Sequence, residues 1–116
     1  MILVFQSTMR KHLLFVCTAN LQRSPTAEEL FEDNKNYEAS SCGTHLFAEK
    51  TITSFAIEWA DIIFCMEELH KEFIIKYYPE EIKGKEIVVL SIPDKYYRGD
   101  PELVRILKEK LKGWLY

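Results

Sequence analysis

Four short apolar runs, each followed by a segment with helical character, constrain this chain more than any other feature of its sequence. Residues 12–16 (HLLFV), 37–42 (YEASSC, closed by Gly43), 62–66 (IIFCM) and 86–90 (EIVVL) read as strands. Ser24-Pro25 predicts a helix start, with the hydroxyl as N-cap, proline at the first helical position, and Ala27, Leu30 and Phe31 as the apolar face. Ile52, Phe55, Ala56 and Trp59 fall at i, i+3, i+4, i+7 and predict a second helix. Leu69, Phe73, Ile74 and Tyr77 predict a third, ending near Pro79, and Asp100-Pro101 opens a fourth that carries Leu103, Leu107 and Leu111 on one face. A βαβαβαβα order means parallel strands with helices on both faces, and ligands in that α/β architecture bind beyond the carboxyl ends of the strands. The first of those ends is Cys17.

Composition bounds the answer further. At 116 residues, 47% hydrophobic and 28% charged, the chain suits one domain with one main core. Net charge is -3 and the basic residues are scattered, so no nucleic-acid footprint is present. Residues 1–5 (MILVF) are too few to span a bilayer and lack the flanks of a signal peptide; no membrane partner is expected, and the expected location is cytoplasmic. The three cysteines form no CxxC pair and match no histidine spacing, which argues for reduced thiols rather than a disulfide framework or zinc site. Residues 1–8 look separable, and Met9 offers a second start.

Between Cys17 and Arg23 lie five residues, Thr18, Ala19, Asn20, Leu21 and Gln22, and Ser24-Pro25 follows. A loop running into a helix N-terminus presents backbone N–H groups to an anion, and an arginine adds a planar fork able to hold two phosphate oxygens. The same positive surroundings favour a thiolate, the nucleophilic form of cysteine. Ser24 can donate a hydrogen bond to the sulfur and Asn20 can pin the loop through its own backbone. A Cys-x5-Arg spacing by itself also fits a buried strand-end cysteine followed by a surface arginine. Its position at a strand-to-helix turn, with Asn inside and Ser-Pro behind, favours phosphate chemistry.

With those residues in place, VCTANLQRSPTAE resembles the active-site loop of the low-molecular-weight protein tyrosine phosphatases. Ser41-Cys42-Gly43-Thr44 resembles that family's Ser-Ala-Gly-Thr, residues 61–66 (DIIFCM) its third strand, and Pro93-Asp94-Lys95-Tyr96-Tyr97 its Asp-Pro-Tyr-Tyr loop; the likeness spans residues 12–116. The resemblance implies a single-domain three-layer sandwich with a four-stranded parallel sheet of order 2-1-3-4, preceded by an extension over residues 1–11. It implies Cys17 as nucleophile, Arg23 as phosphate clamp, Asp94 as general acid, Asn20 and Ser24 as loop organisers, and Phe47, Tyr96 and Tyr97 as the substrate crevice. The implied reaction is hydrolysis of phosphotyrosine or a small aryl phosphate through a phosphocysteine, releasing inorganic phosphate, by a monomer that needs no metal or cofactor. It also implies that the residue after the asparagine, here Leu21, faces the group on phosphorus: aliphatic in phosphotyrosine enzymes, threonine in phosphoarginine enzymes.

The chain departs from that pattern in several places. The segment between Thr44 and Asp61 is short, Lys95 follows Asp94 where proline is usual, Ala19 replaces a common glycine, and Gln22 stands where many members carry a second cysteine. Two alternative functions follow: a catalytically weak module that binds phosphotyrosine, and an arsenate reductase-like enzyme, whose relay cysteine would fall where Glu67 stands. Asp100 competes with Asp94 as acid, although helix capping accounts for it. Cys42 and Cys65 are expected in the core. His12, His45 and His70 share no spacing that suggests a metal or a triad, and Lys108, Glu109, Lys110 and Lys112 read as a solvated helix face.

Overall fold

The computed structural model describes residues 10–115; the apolar run 1–5, Met9 and Tyr116 lie outside the described residues. The elements run β1 (Lys11–Cys17), α1 (Arg23–Glu29), β2 (Tyr37–Gly43), α2 (Ser54–Trp59), β3 (Ile62–Cys65), α3 (Glu68–Tyr77), β4 (Glu86–Val89) and α4 (Pro101–Leu111). All three strand pairings are parallel, and the order is β2-β1-β3-β4, as expected. Cys17 of β1 lies opposite Gly43 of β2, and Val16 opposite Cys65 of β3, so three strand ends meet at one edge of the sheet.

Strand β1 is central and buried on both faces. Leu13 and Phe15 join Ala27, Phe31, Phe64, Leu103, Leu107 and Leu111 under α1 and α4. Leu14 and Val16 turn to the opposite side and meet Ile57, Ile63 and Ile74 under α2 and α3. A near-continuous apolar run is what a strand with helices on both sides requires, and its period-two alternation sends adjacent residues to different layers. Cys42 and Cys65 lie in the second of these clusters, on the core side of the sheet.

Helix α4 follows its sequence signals: Asp100 caps it, its Oδ1 accepting from the Glu102 N–H at 2.9 Å, and Leu103, Leu107 and Leu111 are fully buried. The other helices depart from expectation. Helix α1 begins at Arg23 with Gln22 as N-cap, and Ser24 is a buried first-turn residue rather than the cap. Pro25 still falls in the first turn, where a missing N–H costs no helical bond. Helix α2 is only six residues long, Thr53 caps it, and Ile52 precedes it; Phe55 is 78% exposed while Ile57 is fully buried. A helix shorter than two turns cannot present i and i+7 on one face, so the return of the chain into β3 decides which side is covered. In α3 the buried residues are His70 and Ile74, while Leu69 and Tyr77 are exposed. Among the described residues, no helix is long and apolar enough to cross a membrane.

The reassigned face of α2 gives a stability test. Ile57→Ala should lower unfolding free energy by about 2 to 5 kcal/mol in urea titrations, whereas Phe55→Ala should stay within about 0.5 kcal/mol of the parent.

Candidate active site

At the end of β1 the chain leaves the sheet through residues 18–22, a loop whose outer side is braced by the segment after β2. Thr44 N–H donates to the Cys17 carbonyl, His45 N–H to Thr18 and Glu49 N–H to Ala19, each at 3.0 Å. Gly43 permits this approach, because a Cβ there would lie 2.4 Å from the Thr18 carbonyl oxygen and 3.1 Å from Asn20 N. Substitution would push directly on the loop backbone.

Asn20 is the pivot of the loop. It adopts a left-handed conformation, φ 57°, which asparagine tolerates better than most residues. In that conformation its N–H points at Cys17 Sγ, 3.3 Å away. Its Nδ2 donates to Ser24 Oγ at 2.8 Å and to Ser41 Oγ at 3.0 Å, and its Oδ1 accepts from Lys50 N–H at 3.2 Å. Ser41 Oγ in turn donates to Glu28 Oε1 at 2.5 Å. Because Ser24 accepts from Asn20, its single hydroxyl proton is available to Cys17 Sγ at 2.9 Å, a closer partner than the Cys42 carbonyl at 3.4 Å. Cys17 Sγ can thus accept from an N–H and an O–H. Burial pushes the Cys42 and Cys65 thiols up to about 12, so both stay protonated at neutral pH.

Arg23 is 1% exposed despite its charge. Its Nη1 donates to Glu67 Oε2 at 2.5 Å and to the Ile92 carbonyl at 2.8 Å, and its Nε stands 3.8 Å from Asp94 Oδ1. Held at that corner, Arg23 lines a cavity of about 200 Å³ together with Cys17, Ala19, Leu21, Gln22 and Asp94. Asp94 therefore belongs to the site, whereas Asp100 is occupied as the cap of α4.

Phe47, Tyr96 and Tyr97, expected as the crevice, are not among the lining residues. Phe47 is 85% exposed at the tip of the bracing segment, where the backbone rather than the side chain holds the loop. Tyr96 packs on the core under α1 and α4, and Tyr97 faces solvent. Thr18 points away from the cavity, toward His70.

Glu67, Ser41, Glu28 and His70 were not assigned to the site from sequence. His70 is fully buried; its Nδ1 accepts from Glu67 N–H at 3.0 Å, so a neutral ring carries its proton on Nε2, which donates to Thr18 Oγ1 at 2.9 Å. Burial first, and Arg23 second, lower its pKa to about 4. Glu67 in turn accepts from the His70 backbone N–H as cap of α3. The available signal was the Glu67-x-x-His70 spacing directly after β3, whose carboxyl end lies beside that of β1.

No protein-family model and no curated protein matches the chain. Its fold is that of solved low-molecular-weight protein tyrosine phosphatases. It is similar to the tyrosine phosphatase Wzb from Escherichia coli K30 in complex with phosphate (24% identity, 91% of this chain and 96% of that one, TM-score 0.71). It is also similar to the low-molecular-weight protein tyrosine phosphatase of Streptococcus pyogenes (20%, 90% and 91%, TM-score 0.75) and to the YwlE arginine phosphatase of Geobacillus stearothermophilus (23%, 90% and 94%, TM-score 0.66).

The buried neutral His70 makes stability pH-dependent. Its folded pKa lies below that of an unfolded histidine, so the unfolded chain binds the extra proton as pH falls from about 6.5 to about 4, and stability is lost across that window. The loss from this group between pH 7 and pH 5 should be about 2 kcal/mol in urea titrations, and His70→Gln should lack that part of the pH dependence.

Proposed function

We propose that this protein is a cysteine-dependent phosphatase that hydrolyses aryl phosphates of the phosphotyrosine type through a phosphocysteine intermediate. The observation that carries the reading is the convergence of Cys17, with its two hydrogen-bond donors, the buried Arg23 and Asp94 on one cavity. The loop amides and Arg23 receive the phosphoryl oxygens. Cys17 thiolate attacks phosphorus as the P–O bond to the phenol breaks, and Asp94 delivers its proton to the leaving oxygen. Asp94, now a carboxylate, takes a proton from water as that water attacks phosphorus and the P–S bond breaks, which releases inorganic phosphate and restores the thiolate. Arg23 meets charge on the equatorial oxygens in both steps. Glu67 and the Ile92 carbonyl hold the guanidinium in place, so the fork need not reorganise as that charge develops.

Purified protein should hydrolyse para-nitrophenyl phosphate, and Cys17→Ser should abolish turnover while circular dichroism stays native; absence of parent activity would instead favour a phosphate-binding module. Asp94→Ala should lower turnover roughly 10²-fold to 10⁴-fold for phenols of high pKa and by less for activated phenols. Asp100→Ala should show no such leaving-group dependence, and the reverse pattern would exchange the two assignments.

Leu21 supports the aryl half of this reading. It lines the cavity and is half exposed, so it offers apolar surface to the group attached to phosphorus. A phenyl ring packs there at little cost, whereas a guanidinium would leave N–H groups against hydrocarbon, at about 1 to 3 kcal/mol for each unpaired group. Peptides carrying phosphotyrosine should therefore show higher kcat/KM than those carrying phosphoarginine or phosphoserine, and Leu21→Thr should move the ratio toward phosphoarginine.

A further inference from the structure

The segment that bears Asp94, between the end of β4 and the start of α4, has no regular secondary structure, yet both of its ends are fastened. At the near end Leu90 N–H donates to the Cys65 carbonyl and Ile92 N–H to Met66, each at 2.8 Å, which prolongs the line of β4 along β3. At the far end the partners are side chains of the phosphate loop and of α1. Gln22 Oε1 accepts from Arg98 N–H at 2.5 Å, Thr26 Oγ1 accepts from Gly99 N–H at 3.0 Å, and Arg98 Nε donates to Glu29 Oε1 at 2.8 Å. The backbone N–H of Arg98 is a donor, so the atom of Gln22 that faces it must be the amide oxygen. Thr26 is tied to the same point, because its hydroxyl donates to the Gln22 carbonyl at 2.6 Å.

These three contacts differ in weight. The Arg98–Glu29 pair joins two half-exposed side chains, and such pairs hold little. Gln22 belongs to the cavity wall itself, between Leu21 and Arg23, so its side chain links the backbone that would cradle phosphate to the backbone that carries Asp94. Among the described residues Asp94 has no comparable tie of its own. Its side chain is 64% exposed and approaches Arg23 Nε only to 3.8 Å. Its reach into the cavity is set by its backbone, and the backbone is set by the two anchors.

We infer that Gln22 is a positioning residue for proton transfer: through its amide oxygen it holds the Asp94 segment at the height of the leaving group. The inference rests on the proposed role of Asp94 as general acid. A methionine in place of Gln22 keeps the length and apolar stem but removes the acceptor, while a glutamate keeps an acceptor oxygen at the same reach. Loss of alignment by a fraction of an ångström weakens proton transfer far more than it weakens binding of the phosphoryl group.

The test measures kcat and KM for a series of aryl phosphates of rising phenol pKa with the parent, Gln22→Met, Gln22→Glu, Asp94→Ala and the double variant Gln22→Met/Asp94→Ala. Gln22→Met should lower kcat for phenyl phosphate roughly tenfold more than for para-nitrophenyl phosphate. Gln22→Glu should retain the parent's leaving-group dependence, with KM raised by the added charge. In the double variant the leaving-group dependence should equal that of Asp94→Ala alone, because a residue acting through Asp94 has nothing left to position. A loss in Gln22→Met that is equal for all leaving groups, or that adds fully to that of Asp94→Ala, would overturn the positioning role and leave the phosphatase reading standing. Should Asp94→Ala itself lack leaving-group dependence, the acid assignment fails, and the role of Gln22 falls with it.

Discussion

A buried guanidinium holds this site together. Arg23 opens α1, its Nη1 is bound by Glu67 at the start of α3 and by the carbonyl of Ile92 beyond β4, and its Nε lies beside Asp94. One side chain therefore joins the connections that leave β1, β3 and β4 at the carboxyl edge of the sheet. A charge taken out of water at that position is tolerable only because it is paired and hydrogen-bonded, and removal of one partner from such a pair is far more costly than its formation is favourable. The interaction fixes geometry more than it adds stability. Among the described residues Nη1 makes both hydrogen bonds of the guanidinium to protein, which leaves Nη2 and Nε for a ligand.

The loop between Cys17 and Arg23 is built on the same economy of donors. Asn20 spends both amide protons on Ser24 and Ser41, and that choice frees the Ser24 hydroxyl for the sulfur. Ser41 is relieved in turn by Glu28, so the network ends on a carboxylate outside the cavity. His70 does the corresponding work on the other side, and its low pKa keeps it a neutral ring that accepts at Nδ1 and donates at Nε2. Every buried side-chain polar atom among the described residues is paired, which is the condition under which a polar network rigidifies rather than weakens a core.

Much of the frame was legible in the sequence because it depends on periodicity. Strand β1 had to be buried on both faces, and α4 had its cap, its proline and its leucines in register. The helix faces of α2 and α3 were less legible, since a short helix buries whichever side tertiary packing covers, and Ile57 and His70 displaced Phe55 and Leu69. Within the site, Cys17, Asn20, Arg23 and Ser24 could be named because their spacing is local. Glu28 and Ser41 could not, because they reach the site from α1 and β2 only after the sheet has formed, and Glu67, after β3, left only its spacing to His70. Ser24 shows the conflict directly: its local preference is to cap a helix, and the fold spends its hydroxyl on Cys17 instead.

The distribution of charge then decides what the cavity can accept. The loop around Cys17 presents neutral donors, from the amide of Asn20 to the hydroxyl of Ser24, and its one cation is Arg23. Of the carboxylates nearby, Glu67 is bound to Arg23 and caps α3, and Glu28 is bound to Ser41, so neither lines the cavity. Asp94 alone does. A dianionic phosphoryl group entering this space would meet amides and a guanidinium on one side and a single carboxyl on the other. On the proposed reading, the wall that would hold the anion is neutral or cationic, and the one carboxyl lining the cavity is left for proton transfer.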